Sequence, residues 1–177
     1  LTVFVGKSGC GKSTLVSLLM GFNKAQQGRI LFNGQEIQEI DRHSFYKKVS
    51  LVSHSSYVFK GSLRENMTMA KVDATYEQIY ACFEQVNLAQ FVRDNGGLDM
   101  QLLSRGANLS GGQIQRLALA RALLHNAALY IFDEATRNID VESEEIILQF
   151  IQQFKQQKTI VMISHRLANA VNADCIN

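Results

Sequence analysis

Residues 6–13 read Gly6-Lys7-Ser8-Gly9-Cys10-Gly11-Lys12-Ser13. Small residues at this spacing let consecutive backbone N–H groups turn inward and form a nest for an anion. Glycine, four residues, then Gly-Lys-Ser is the pattern of a loop that cradles phosphates between a strand and a helix. The helix that follows aims the positive end of its dipole at the same point. Lys12 brings a full positive charge to the outer phosphates of a nucleotide, and the Ser13 hydroxyl can ligate Mg²⁺. Thr14 completes the segment. The flanks suit the loop: Leu1 to Val5 is an apolar, β-branched run that predicts a buried strand, and Ser13 to Phe22 predicts a mostly apolar helix. Cys10 sits among the inward N–H groups beside Lys12. Its alkylation is expected to block nucleotide binding and ATP to protect it, with an inert small residue as the alternative.

A second set of chemical groups follows Leu129-Tyr130-Ile131-Phe132, which ends in Asp133 and Glu134. A buried strand delivers its last residues to the sheet edge where ligands bind in open α/β folds. Asp133 can hold Mg²⁺ there together with Ser13, directly or through water. Glu134, one residue on, is placed to polarise an attacking water. A third set is Leu109-Ser110-Gly111-Gly112-Gln113, in which Ser110 caps a helix and two glycines leave its first N–H groups uncovered. One nucleotide does not need two such cradles far apart in sequence. The second is therefore expected to face a nucleotide held by another subunit. His165 lies just past the buried run Thr159 to Ile163, which predicts the same sheet edge as Asp133.

The remaining elements position these groups. Gly28 to Phe32 with Asn33-Gly34 predicts a strand and tight turn. Asp41 is the expected cap of a short helix through Lys48, and Val49 to Val52 a short strand. Residues 53–61 read as a polar and aromatic loop in which Tyr57-Val58-Phe59 forms an exposed apolar cluster. One helical turn is expected over Ser62 to Met67, and helices over Thr75 to Val86, Leu88 to Arg93, Ser110 to His125, Val141 to Lys155 and Arg166 to Val171. Strands and helices alternate at both ends, while residues 62–125 are almost purely helical. The fold class is α/β: a mostly parallel sheet of the phosphate-loop NTPase kind over residues 1–61 and 126–177, with a helical subdomain at 62–125.

Bulk properties narrow the function. The 177 residues are 46% hydrophobic, enough for a core, and carry 18 basic against 16 acidic residues. That balance gives no general affinity for nucleic acid. No apolar stretch reaches the ~18 residues of a membrane helix. Cys10, Cys82 and Cys175 are widely spaced, which suits a reducing compartment. The chain opens inside a strand and closes on the start of another at Asp174 to Asn177, so a fragment cut at both ends is expected.

The strings GKSGCGKST, LSGGQ, LYIFDEAT and ISHR, in this order and spacing, resemble the ATP-binding domain of ABC transporters over the whole chain. Arg105-Gly106-Ala107-Asn108 and Phe59 to Asn66 resemble the exporter branch. The resemblance implies ATP and Mg²⁺ as ligands, with Gly6 to Thr14 around the phosphates. It implies Glu134 as the base or water-orienting group and His165 as a switch contacting the γ-phosphate. Leu109 to Gln113 and Asp140 are implied for contacts with ATP across a head-to-tail pair. Partners follow: a second nucleotide-binding domain, of the same or another chain, and a transmembrane domain that places this one on the cytoplasmic face of a membrane. Transport powered by ATP hydrolysis is the implied function. A degenerate half-site with little turnover and a soluble non-transport ABC ATPase stay open beside it.

Three departures from the family's pattern bear on this. Ser53-His54 stands where the family has Pro-Gln, so His54 takes the place of a glutamine near Mg²⁺. A nitrogen suits Mg²⁺ poorly, and a protonated His54 would repel it, so slower hydrolysis that falls further below neutral pH is expected. Arg137 and Asn138 replace Ser-Ala, which favours a distinct partner half over self-pairing. Leu103-Ser104 replaces Gly-Glu before Arg105, which alters communication with the membrane part. The family's adenine-stacking aromatic lies upstream of Leu1, and stacking is worth about 1 kcal/mol. Weak nucleotide affinity, held mainly by the phosphates, is expected of this chain alone.

Overall fold

The structure, a computed structural model, describes residues 1–7, 9–165 and 173–176. Ser8, Asn177 and the helix expected over 166–171 lie outside the described residues.

The chain starts with β1 (Thr2–Val5) and α1 (Lys12–Leu19). The helix stops before the expected Phe22 because Gly21 adopts φ 68°, the left-handed conformation that ends helices. A hairpin of β2 (Leu31–Phe32) and β3 (Gln35–Glu36) follows, turned by Asn33 and Gly34. Next come α2 (Arg42–Tyr46), whose cap Asp41 accepts the Ser44 N–H at 2.8 Å, and β4 (Val49–Ser53). Then come β5 (Gly61–Ser62), α3 (Leu63–Thr68), α4 (Tyr76–Gln85), α5 (Ala89–Asp94), β6 (Gln101–Leu102) and α6 (Gly111–His125). The last elements are β7 (Leu129–Asp133), α7 (Val141–Phe154), β8 (Thr159–Ser164) and β9 (Cys175–Ile176).

Five strands form one parallel sheet in the order β4-β7-β8-β1-β9. Parallel strands end at the same edge, so His54, Glu134, His165 and Gly6 all leave the sheet there, after β4, β7, β8 and β1. The β7 strand shows why the sheet is covered on both faces. Alternate side chains point to opposite faces of a strand. Leu129 and Ile131 join Val16, Met20 and Phe45 beneath α1 and α2. Tyr130 and Phe132 join the larger core with Phe83, Leu117, Ile147 and Met162. A parallel strand buried on both faces must be apolar throughout, and LYIF is.

The segment between β4 and β7 is mostly helical, but β5 pairs antiparallel with β6, a contact the sequence did not suggest. Its loop is organised by Asn66, which is fully buried. The Asn66 Oδ1 accepts the Phe59 N–H at 3.0 Å, and Nδ2 donates to the Phe59 and Ser62 carbonyls at 2.9 and 3.1 Å. Val58, expected in an exposed cluster, is fully buried, while Tyr57 and Phe59 on either side are exposed. Extended backbone alternates its side chains, so one of three neighbours points inward. No helix among the described residues is long and apolar enough to cross a membrane.

Candidate functional site

Three elements meet at a cleft of about 300 Å³ at the carboxyl edge of the sheet, lined by Gly9, Gly11, Lys12, Ser13, Thr14, His54, Asp133, Glu134 and Arg137. The phosphate loop and the acidic pair, more than a hundred residues apart, are brought together here. The α1 helix begins at Gly11 with no side chain capping its first N–H groups, which leaves them available to an anion. The Lys12 ammonium donates to the Gly6 and Lys7 carbonyls at 2.6 and 2.9 Å, so the side chain folds back along the loop it serves. The Cys10 thiol lies over Gly6, where an added Cβ would come within 2.5 Å of Sγ.

The acidic pair is fixed from both sides. The Asp133 carbonyl accepts the His54 N–H at 3.1 Å, and the Glu134 N–H donates to the Ile163 carbonyl at 3.0 Å. The ladder thus runs one residue past β7 before the chain turns at Glu134, whose φ is 48°. Burial raises the Asp133 carboxyl above its ordinary range; His54 opposes that shift, Glu134 adds to it, and Lys12 opposes it. Divalent metal fits this donor set only in part as a protein cage, since no cluster of three or more His, Cys, Asp or Glu is found among the described residues. Mg²⁺ does not need one: it takes one or two protein oxygens and completes its shell with water and phosphate. The Ser13 hydroxyl and Asp133 carboxylate line the same cleft and supply such oxygens. His54 lines it too but offers nitrogen.

One contact was not foreseen. The Arg137 Nη1 donates to the Glu134 Oε2 at 2.8 Å, with Glu134 mostly covered and the guanidinium half exposed. A glutamate and an arginine three apart were visible in the sequence, but the tight turn that brings them together was not.

The other expected site residues lie elsewhere. His165 is exposed at the same sheet edge and is not among the cleft's lining residues. Leu109 to Gln113 do not line it either. The Ser110 Oγ accepts the Gln113 N–H at 3.2 Å and the Gln113 Oε1 accepts the Ser110 N–H at 2.8 Å. This reciprocal cap leaves the N–H groups of Gly111 and Gly112 without side-chain cover. Asp140 caps α7, accepting the Ser143 N–H at 2.8 Å, and also pairs with Arg116 of α6 at 3.4 Å. The Ser143 N–H bond, ahead of burial and the other contacts, holds its carboxyl below the ordinary range. Gly112 is packed against this cap: a Cβ there would collide with Asp140 Oδ2 and come within 2.6 Å of Ser143 Oγ. Gly112→Ala is expected to push Asp140 out of its capping position and lower stability by about 1 kcal/mol, read as a lower melting temperature. An unchanged melting temperature would count against the packing.

A second, wider groove of about 520 Å³ runs between β4 and α6, lined in part by Tyr57, Met69, Arg121 and His125. Arg121 donates to the Tyr57 carbonyl at 2.8 Å, and burial pushes its guanidinium down to about 10.

Known proteins share this arrangement. The chain is 92% identical over its whole length to an uncharacterised ABC transporter ATP-binding protein of Haemophilus influenzae, of which it covers 32%. It is 38% identical over 97% of its length to a putative multidrug export ATP-binding/permease protein of Bacillus subtilis, covering 30% of that protein. The solved structure of a bacterial Atm1-family ABC exporter with ATP bound superposes with a TM-score of 0.91 at 33% identity, over 99% of this chain and 31% of that one. The chain therefore spans about a third of the length of these relatives. Residues 1–137 match the ABC transporter family. With its phosphate loop, acidic pair and capped LSGGQ helix in place, the chain belongs to the ABC transporter family as an ATP-binding domain.

Proposed function

We propose that this domain binds and hydrolyses ATP and that the hydrolysis drives export by the larger protein. The single observation that carries the reading is the cleft in which Lys12, Ser13, Asp133 and Glu134 converge. Phosphoryl transfer asks little covalent chemistry of a protein, so catalysis is positioning and charge stabilisation. In this reading the uncapped α1 N–H groups and Lys12 hold the phosphates. Glu134 orients the attacking water and takes its proton. Ser13 and Asp133 are the residues that would hold Mg²⁺, which neutralises charge on the outer phosphates when bound.

Residues 62–125 act as the helical subdomain, and within Ser110 to Gln113 the N–H groups of Gly111 and Gly112, which no side chain caps, are offered to ATP held by a second ATP-binding domain. His165 and Asp140 complete the sandwiched site from the sheet edge and the α7 start. The transmembrane domain docks at the groove beside Tyr57, which places this domain on the cytoplasmic face of the membrane. ATP-dependent phosphate release by the full-length protein in lipid vesicles tests the reading: release that stops when EDTA removes Mg²⁺ supports it, and release that survives EDTA contradicts it.

A second reading has its own support. His54 at the metal side of the cleft and the Arg137 bond to Glu134 both fit a half-site that holds ATP but turns over slowly. His54→Gln restores an oxygen donor and is expected to raise turnover at saturating MgATP. A turnover equal to that of the parent protein would remove His54 from any part in the rate.

A further inference from the structure

We infer that Arg137 is a positioning residue that holds the Glu134 carboxylate in a restrained pose and so keeps the resting rate of hydrolysis low. This rests on the reading of Glu134 as the group that orients water. Several observations bear on it. The Arg137 Nη1 lies 2.8 Å from the Glu134 Oε2. Both side chains line the cleft that carries Lys12 and Ser13. The turn itself favours the pair: the Arg137 N–H donates to the Glu134 carbonyl at 2.9 Å, which folds residues 134–137 back on themselves.

The pair also takes something from Glu134. A carboxylate that accepts a charge-assisted hydrogen bond from guanidinium holds its lone pairs in a fixed direction. A group meant to orient water needs that oxygen turned toward the water instead. Among the described residues Arg137 pairs with no carboxylate but Glu134; Asp140 and Glu142 are taken up by Arg116. The guanidinium is half exposed, so the bond can be removed without disturbing the core.

The test uses the full-length protein in lipid vesicles, with steady-state phosphate release measured across MgATP concentrations. Arg137→Ser removes the bond and leaves a small polar residue at an exposed position. Its kcat is expected to rise about two- to fivefold, the range a half-exposed ion pair can restrain, with KM unchanged. Arg137→Lys keeps a charge on a shorter-reaching, more mobile ammonium that can remake the single bond only part of the time, and its rate is expected to fall between those of the parent and Arg137→Ser. In a Glu134→Gln background, Arg137→Ser is expected to leave the residual rate unaltered, since the group it restrains is gone.

A kcat that stays level or falls in Arg137→Ser overturns the proposal. So does a rise in KM without a gain in kcat, which would make Arg137 a phosphate-binding cation. Failure of the underlying reading looks different: the parent protein and Glu134→Gln would release phosphate at the same rate, and that overturns both.

Discussion

Glu134→Gln is expected to lower kcat by about 10²- to 10⁴-fold, the usual worth of a positioned general base, while ATP still binds. The substitution keeps the size of the side chain and its place after β7, where the residue 134 N–H is tied to the Ile163 carbonyl. It removes the charge that orients water and the capacity to take its proton. The surrounding cleft is expected to be unaffected, because the phosphate contacts would come from the loop and α1 after β1, which β8 separates from β7. Phosphate release at saturating MgATP measures the first effect, and equilibrium binding of a fluorescent ATP analogue measures the second. A loss of binding equal to the loss of rate would show that Glu134 holds the loop rather than the chemistry.

Lys12→Ala is expected to fail in the opposite way. It should weaken ATP binding about 10- to 100-fold, the range for losing a hydrogen bond to a charged group, and take hydrolysis down with it. The Lys12 ammonium has two bonds to loop carbonyls, at 2.6 and 2.9 Å. The substitution therefore removes the positive charge and also a brace of the loop. Lys12→Arg separates these effects. It keeps the charge but brings a planar fork where a compact ammonium fits, and it should recover only part of the affinity. The same fluorescent binding titration reads all three proteins. Equal affinity in the parent and Lys12→Ala would remove the loop from phosphate binding. The pair of predictions divides the cleft into a binding half and a reacting half: one variant loses affinity, the other loses turnover.

Much of the fold could be read from the sequence because its signals are local. LYIF and TIVMI are apolar on both faces, as only a covered parallel strand can be. Thr75 with Gln78 and Ser110 with Gln113 form reciprocal caps at the starts of α4 and α6, and each is a pattern four residues long. The strand ends follow from this, and the ends place Gly6, His54, Glu134 and His165 on one edge. What stayed hidden depends on distant partners or on single backbone angles. The two-residue strands β5 and β6 have no periodicity to detect. Asn66 looks like any polar helix residue until the Phe59 and Ser62 backbone closes around it. Val58 reads as exposed within an aromatic cluster, yet it is the one that turns inward. Arg137 was legible as a departure from the family's pattern, but its partner was not, because nothing in the sequence reports the positive φ at Glu134 that starts the turn.

On the proposed function, ATP is held at this cleft between two domains and cut through Glu134. The most direct measurement is the identity and amount of nucleotide retained by the full-length Glu134→Gln protein after incubation with MgATP and removal of free ligand. Intact ATP at about one molecule per copy of this domain is the expected result, beside a parent protein that releases phosphate and retains little. Recovery of ADP would show that the reaction runs without Glu134, and absence of retained nucleotide would show that the cleft does not hold ATP in a closed pair; either contradicts the claim.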